Sequence, residues 1–103
     1  MTYELLFDVL ALREWHKLAP AIKDQLRKKL AARLEAPKVE ADKLAGMPGC
    51  YKIKLSSLGY RLVYRVVDDQ VQVVVIAVGK RERGKVYKAA RKRIADKRAE
   101  AEK

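Results

Sequence analysis

The chain has 103 residues, half of them apolar, and a formal net charge of +11 at pH 7. This length fits one domain spanning residues 1–103 whose core needs no metal or disulfide, and the apolar content excludes a disordered chain. The single cysteine, Cys50, excludes an internal disulfide and favours a reducing, cytoplasmic compartment. We see neither a signal-peptide pattern nor an apolar run long enough to span a membrane.

The positive charge is concentrated near the C-terminus. Residues 80–98 contain ten Lys or Arg and two Asp or Glu, a net charge of +8. This asymmetry predicts a polyanionic partner, with nucleic acid as the first candidate and an anionic membrane surface as the second. The alternative is a solvated helix face, which would usually mix charges of both signs.

The N-terminal third predicts one strand and two helices. Residues 2–7 read as a short strand, and Asp8 is a good N-cap for a short amphipathic helix over residues 9–18. Pro20 suits the first position of a second helix, which ends before Pro37 and forms a helical hairpin with the first. The apolar positions at helical spacing are Leu10, Ala11, Trp15 and Leu18 in the first helix and Ile22, Leu26, Leu30 and Leu34 in the second.

After an irregular crossing loop over residues 37–50, the apolar period changes from about 3.6 to 2. Three strands follow, over residues 51–55, 60–67 and 71–78, with turns at residues 56–59 and 68–70. They predict a three-stranded antiparallel meander.

Residues 85–98 predict a basic C-terminal helix that frays towards its end, and residues 95–103 are a candidate disordered tail. The fold class is therefore α+β: an N-terminal strand and a helical hairpin packed on a small antiparallel sheet, with a basic C-terminal helix.

Strand parity divides the meander into two faces. A four-residue turn pairs Leu55 with Tyr60, and a three-residue loop at residues 68–70 would pair Val67 with Val71. The face expected to pack on the helices carries Tyr51, Ile53, Leu55, Tyr60, Leu62, Tyr64, Val66, Gln72, Val74, Ile76 and Val78. The opposite face carries Lys52, Lys54, Arg61, Arg65, Val63, Val73, Val75 and Ala77.

Like charges collect on this second face. The register places Lys54 opposite Arg61, and such a pair is destabilising. Extending the last strand by parity adds Arg81, so these cations and Lys52 form a candidate anion-binding floor. A two-residue turn at Asp68–Asp69 would break the Arg81 part of this argument.

One tyrosine is placed to work with these cations. Tyr87 falls one turn into the last helix, close to Arg81 and Lys85. Neighbouring cations favour a phenolate, which makes Tyr87 a candidate general base.

Other reactive constellations are missing from the sequence. The single histidine, His16, reads as a surface residue and cannot make a zinc site with one cysteine. Asp68 and Asp69 are explained by turn formation. We therefore expect no metal and no cofactor, and any chemistry must use Lys, Arg and Tyr.

The series YKIKL (51–55), GYRLVY (59–64) and VGKRERGKVY (78–87) resembles the RelE family of bacterial toxins. The resemblance covers nearly the whole chain, including EWHKL, QLRKKL and KLAGMPGCYKIKL. It implies a small toxin that cleaves mRNA in the ribosomal A site, is inhibited by a cognate antitoxin, and represses its own operon only together with that antitoxin. The family's functional positions fall on Lys52, Lys54, Arg61, Arg81 and Tyr87.

The resemblance also implies a mechanism, in which the 2′-OH of the mRNA attacks the adjacent phosphodiester. Tyr87, or with less support Lys54 or Lys52, would remove the proton, and Arg61 with the lysines would stabilise the phosphorane. Arg81 would lie near the leaving 5′-oxygen; because arginine is not deprotonated in proteins, we expect water to donate the proton. The cations assigned to RNA-backbone contacts are Arg65, Lys80, Arg83, Lys85 and Lys88.

Two alternatives remain open. A ParE-type toxin shares the fold but acts on DNA gyrase without this catalytic set, and a non-catalytic basic protein could bind ribosomal RNA. Ala45 stands in the crossing loop where another cation would help RNA binding. For the antitoxin we expect an acidic or amphipathic segment lying along the basic C-terminal region.

Overall fold

The computed structural model describes the backbone of residues 2–101 and the side chains of residues 2–96. Strands and helices follow the predicted order. The elements are β1 (Glu4–Phe7), α1 (Val9–His16), α2 (Pro20–Glu35), β2 (Cys50–Leu55), β3 (Tyr60–Val67), β4 (Gln72–Lys80) and α3 (Lys85–Ala101). Short 3-10 helices lie at Glu40–Asp42 and Asp68–Gln70. Because α3 is described as far as Ala101, only residues 102–103 of the predicted tail lie outside the described residues, and disorder of that tail stays a prediction.

Both N-terminal helices begin at the predicted residues. The Asp8 side chain accepts a hydrogen bond from the Leu10 backbone N–H at 2.9 Å, which caps α1, and α2 begins at Pro20. Leu10, one of the apolar positions at helical spacing, is 45% exposed. The buried side of α1 is therefore narrower than its apolar pattern indicates, and it consists of Ala11 and Trp15.

The sheet contains four strands in the order β1-β4-β3-β2. The predicted antiparallel meander is confirmed, and β1 adds to it in parallel alongside β4. The sheet is therefore mixed. The sequence predicts β1 as a strand, but nothing in residues 2–7 indicates which strand it pairs with.

The first hairpin has the predicted register and the second does not. Leu55 pairs with Tyr60, as expected. Val67 pairs with Gln72 and not with Val71, because the loop holds four residues and Val71 adopts a left-handed conformation with φ of 54°. A loop longer by one residue reverses the side-chain parity of the following strand.

A second irregularity reverses the parity again. The β3–β4 register shifts between Tyr64, which pairs with Val75, and Val63, which pairs with Ala77. Ile76 is thus the extra residue of a β-bulge, and its side chain joins that of Ala77 on one face.

The predicted faces of β4 are therefore wrong before the bulge and correct after it. Val73 and Val75 pack on the N-terminal helices, whereas Val74 and Ile76 face α3. Beyond the bulge, Arg61 pairs with Gly79, and the strand leads towards Arg81 with the predicted parity.

Two apolar layers enclose the sheet. The layer under α1 and α2 contains Ala11, Trp15, Ile22, Leu26, Leu30, Tyr51, Ile53, Leu55, Leu62, Tyr64, Val66, Val73, Val75 and Val78. The layer under α3 contains Met47, Cys50, Val63, Ile76, Ala77, Val86 and Ala90. The second layer covers only part of its sheet face, and the cations of β2 and β3 lie on the remainder.

A polar network fixes the crossing loop to the sheet. The Arg33 guanidinium on α2 donates to the Tyr64 hydroxyl at 2.8 Å, to the Lys52 carbonyl at 3.1 Å and to the Asp42 carboxylate at 2.5 Å. The Tyr64 hydroxyl in turn donates to the Pro37 carbonyl at 2.6 Å. Burial raises the pKa of Tyr64, so its hydroxyl keeps the proton that it donates.

Candidate nucleic-acid cleft

A cleft of 740 Å³ opens on the sheet face beside α3. Strands β2 and β3 form its floor, and the crossing loop and α3 form its two walls. Its lining residues are Leu44, Ala45, Met47, Lys52, Lys54, Arg61, Arg81, Arg83, Gly84, Tyr87, Lys88 and Arg91. No carboxylate stands among the described residues that line it, so its cations are not neutralised from within the cleft.

All five residues expected to carry chemistry line this cleft: Lys52, Lys54, Arg61, Arg81 and Tyr87. They come from β2, β3, the segment after β4 and the first turn of α3. The structure therefore brings together positions that are up to 35 residues apart in the sequence.

Arg61 and Lys54 stand directly opposite each other across the β2–β3 ladder. Arg61 is 6% exposed, and its guanidinium donates to the Tyr60 carbonyl at 2.9 Å. Lys54 is exposed and Lys52 is half-buried. A buried guanidinium paired only with a neutral carbonyl in the described contacts has strong remaining affinity for an anion.

Arg81 is held just beyond the end of β4. Its backbone N–H donates to the Gly59 carbonyl at 2.6 Å, next to the residue where β3 begins. This bond continues the sheet pairing by one residue and leaves the exposed Arg81 side chain at the cleft.

A turn with left-handed backbone conformation precedes Tyr87 and sets its position. Arg83 and Gly84 both have positive φ, at 47° and 73°, and α3 begins at the next residue. Glycine tolerates this conformation, whereas Arg83 is an unusual residue for it. The turn reverses the chain over the cleft and places half-buried Tyr87 at its rim.

The five cations assigned to RNA-backbone contacts separate into groups. Arg83 and Lys88 line the cleft. Lys80 and Lys85 line another hollow together with Glu14 and Glu82.

The last of these cations, Arg65, is half-buried on β3, on the same face as Arg61 but further from the cleft. RNA contacts by all five cations, inside and outside the cleft, stay a prediction.

Sequence reasoning missed Arg91 and the apolar wall of the crossing loop. On α3 the cleft residues are Tyr87, Lys88 and Arg91, whose spacing of three and four residues before Arg91 places them on one helix face. That spacing is visible in the sequence once Tyr87 is assigned. The position of the loop beside α3 depends on long-range packing and leaves no local signal.

Two features are absent from the residues that the structure describes. No described helix has the length and apolarity needed to cross a membrane. Among the side chains of residues 2–96, no three His, Cys, Asp or Glu residues are grouped so that they could hold a metal ion.

The family to which the chain belongs is that of the ParE toxin of the type II toxin–antitoxin system parDE, whose model matches residues 5–84. Among curated proteins, the chain is 61% identical to the mRNA interferase toxin RelE of Escherichia coli strain K12 over 94 residues, which are 91% of this chain and 99% of that protein. The resemblance expected from the sequence is thereby confirmed: the chain is a RelE-type toxin.

Solved structures agree with this assignment. A variant of E. coli toxin RelE with two arginine-to-alanine substitutions, in the free state, matches with a TM-score of 0.85 and 58% identity, covering 91% of this chain and 99% of that one. The toxin in the intact E. coli RelBE toxin–antitoxin complex matches with a TM-score of 0.76 and 60% identity, covering 79% and 99%.

Proposed function

We propose that this toxin is a metal-independent endoribonuclease that cleaves mRNA in the ribosomal A site and thereby inhibits translation. The observation that carries the proposal is the convergence of Lys52, Lys54, Arg61, Arg81 and Tyr87 on one cleft without a carboxylate among the described lining residues. The naming of a 61% identical relative as an mRNA interferase supports the same activity.

In the proposed reaction the 2′-oxygen of the mRNA forms a bond to the adjacent phosphorus and the bond to the 5′-oxygen breaks. In its phenolate form Tyr87 takes the 2′-OH proton, and the uncharged amine form of Lys54 or Lys52 is the alternative base. Arg61 and the lysines stabilise the negative charge on the phosphorane oxygens. Arg81 stabilises the leaving 5′-oxygen while water supplies its proton, giving a 2′,3′-cyclic phosphate and a free 5′-OH.

The described residues that line the cleft include no pair of histidines or carboxylates that would make a strong acid–base catalyst on free RNA. Positioning of the substrate can lower the activation free energy by several kcal/mol and so offset the missing acid–base catalyst. The proposal therefore includes the ribosome as the partner that orients the mRNA.

We propose two further partners. The first is a cognate antitoxin, which the E. coli RelBE toxin–antitoxin complex supports. The second is operator DNA, contacted only through the toxin–antitoxin complex, as the family resemblance implies. The net charge of +8 over residues 80–98 favours an acidic or amphipathic antitoxin segment along α3. We also propose a cytoplasmic location, because the proposed ribosomal substrate lies in that compartment.

The test adds the purified toxin to stalled ribosomes and maps mRNA 5′ ends, for the wild type and for Arg81→Ala and Tyr87→Phe. We expect cuts within the A-site codon, and these cuts should fall strongly in both variants. Uncut mRNA with the wild type, or undiminished cutting by both variants, would overturn the proposal.

A second candidate is inhibition of DNA gyrase, which the match to a ParE toxin model favours. A gyrase supercoiling assay with the same preparation separates the two functions. Inhibition of supercoiling without mRNA cleavage would support the ParE-type activity.

A further inference from the structure

The cleft extends beyond the residues assigned to chemistry. Arg91 lies four residues after Tyr87 on α3, which places it one turn, or about 6 Å, further along the helix axis. Both residues line the same cleft, with Lys88 between them on the same helix face. Lys88 and Arg91 are therefore two successive cationic positions along this wall.

The opposite wall is apolar. It is formed by Leu44, Ala45 and Met47 of the crossing loop, of which Met47 is buried and Ala45 is exposed. A hollow of 480 Å³ continues around this loop from Lys43 to Gly49. The guanidinium on one wall suits the phosphate of a nucleotide. The apolar surface of the opposite wall suits the base of the same nucleotide.

The charge of Arg91 is available for a ligand. Within the described residues no ion pair joins Arg91 to a carboxylate, whereas Arg93, two residues later, is paired with Glu14. The two arginines point to different sides of α3, because two residues correspond to a rotation of about 200°. Arg93 links α3 to α1 through its ion pair with Glu14, whereas Arg91 faces the cleft.

We propose that Arg91 and the wall of Leu44, Ala45 and Met47 form a subsite for a nucleotide next to the scissile phosphate. Arg91 binds the phosphate of that nucleotide and the apolar wall contacts its base. The inference rests on the proposed ribonuclease function and adds a substrate-binding residue to it.

The test compares Arg91→Ala with Lys92→Ala, a matched control that removes the same charge from an exposed neighbour outside the cleft. Alanine favours helix, so circular dichroism should show equal helicity in both variants. The probe is a short single-stranded RNA with 2′-deoxyribose at the scissile position, titrated by fluorescence anisotropy at several salt concentrations.

We expect Arg91→Ala to weaken binding roughly tenfold, the effect of losing one charge-assisted contact. The slope of log affinity against log salt should fall by about 0.7, and Lys92→Ala should stay near the wild type. With ribosome-bound mRNA, Arg91→Ala should raise KM and leave kcat unchanged. The wild-type protein should bind an RNA with abasic positions beside the scissile site more weakly than it binds the intact RNA.

Equal binding and equal salt slopes for the two variants, or wild-type affinity for the abasic RNA, would overturn the subsite. If the wild type cuts stalled mRNA but Arg91→Ala behaves like Lys92→Ala, the subsite fails and the proposed function stands. If the wild type does not cut while RNA binding depends on Arg91, the proposed function fails and Arg91 is an RNA-binding residue with no scissile phosphate beside it.

Discussion

Arg93 of α3 and Glu14 of α1 form a two-pronged ion pair, with guanidinium-to-carboxylate distances of 2.7 and 3.1 Å. The same two side chains satisfy the free edge of β4: Arg93 donates to the Ile76 carbonyl at 2.8 Å, and Glu14 accepts from the Val78 N–H at 3.2 Å. Because β1 pairs with β4 only as far as Val75, the ion pair continues the sheet edge where the neighbouring strand has ended.

We expect Arg93→Ala to lower the free energy of unfolding by about 2–3 kcal/mol, since it leaves a partly buried carboxylate and a carbonyl without their donor. It should also speed hydrogen exchange in α3 and reduce kcat, because Tyr87 and Lys88 are carried by the same helix. Arg93→Lys should restore part of both effects.

Lys92→Ala serves as the control for Arg93→Ala, since it removes a charge from the same helix without touching Glu14. If hydrogen exchange in α3 and kcat were the same in Arg93→Ala and Lys92→Ala, the ion pair would have no part in holding the helix over the cleft.

The opposed Lys54 and Arg61 indicate that the site is maintained at a cost in stability. Replacing Arg61 by Met removes a like-charge pair and a buried charge while keeping similar volume, so the free energy of unfolding should stay unchanged or rise by about 0.5–1 kcal/mol. Cleavage should fall by about a hundredfold or more, the usual effect of removing one transition-state donor. Urea denaturation and stalled-ribosome cleavage measure the two effects; a clear loss of stability would instead make Arg61 a structural residue.

Val71 is a β-branched residue in the left-handed conformation, with φ of 54°, in the loop before β4. Asparagine tolerates this conformation better, so Val71→Asn should raise the free energy of unfolding by about 0.5–1 kcal/mol. Val71→Ala shortens the side chain but keeps the Cβ atom and is the matched control. An Asn variant no more stable than the Ala variant would show that the loop is not strained at this residue.

Asp68 joins the second hairpin to the crossing loop. Its carboxylate is 2.5 Å from the Lys38 ammonium and accepts a hydrogen bond from the Tyr3 hydroxyl at 3.0 Å. The contact with Lys38, followed by that with Tyr3, lowers the pKa of Asp68 below its ordinary value of 3.8.

A lowered carboxyl pKa stabilises the folded state at pH values above the unfolded pKa, and this stabilisation is lost as pH falls through the folded pKa. Asp68→Asn should therefore destabilise the protein at about pH 7 and have a smaller effect at about pH 2. Urea denaturation at both pH values, with the neighbouring Asp69→Asn as control, measures the difference. An equal effect of Asp68→Asn at both pH values would contradict the assignment.

The sequence predicts the cleft better than it predicts the strand that leads to it. A four-residue loop and a bulge at Ile76 each shift the register by one residue in the same direction. The register is therefore two residues from the predicted one where Arg61 pairs with Gly79, but the predicted side-chain parity is restored. Hydrophobic alternation could not reveal either shift, because β4 is apolar on both faces. The early hairpin was predictable because its turn length and its alternating charges agree on one register.

Tertiary placement accounts for what the sequence did not predict. The crossing-loop wall at Leu44 and Ala45 and the edge contacts of Glu14 depend on residues distant in the chain. Arg91 is different, since its helical spacing from Tyr87 was available in the sequence.

The most direct test of the account is cleavage of a stalled mRNA that carries one 2′-deoxyribonucleotide at the mapped cut site. If the cleft promotes attack by the 2′-OH, the all-ribose message should give a 5′ fragment ending in a 2′,3′-cyclic phosphate and the substituted message should remain intact at that site. Cleavage of both messages at the same position and rate would contradict the account.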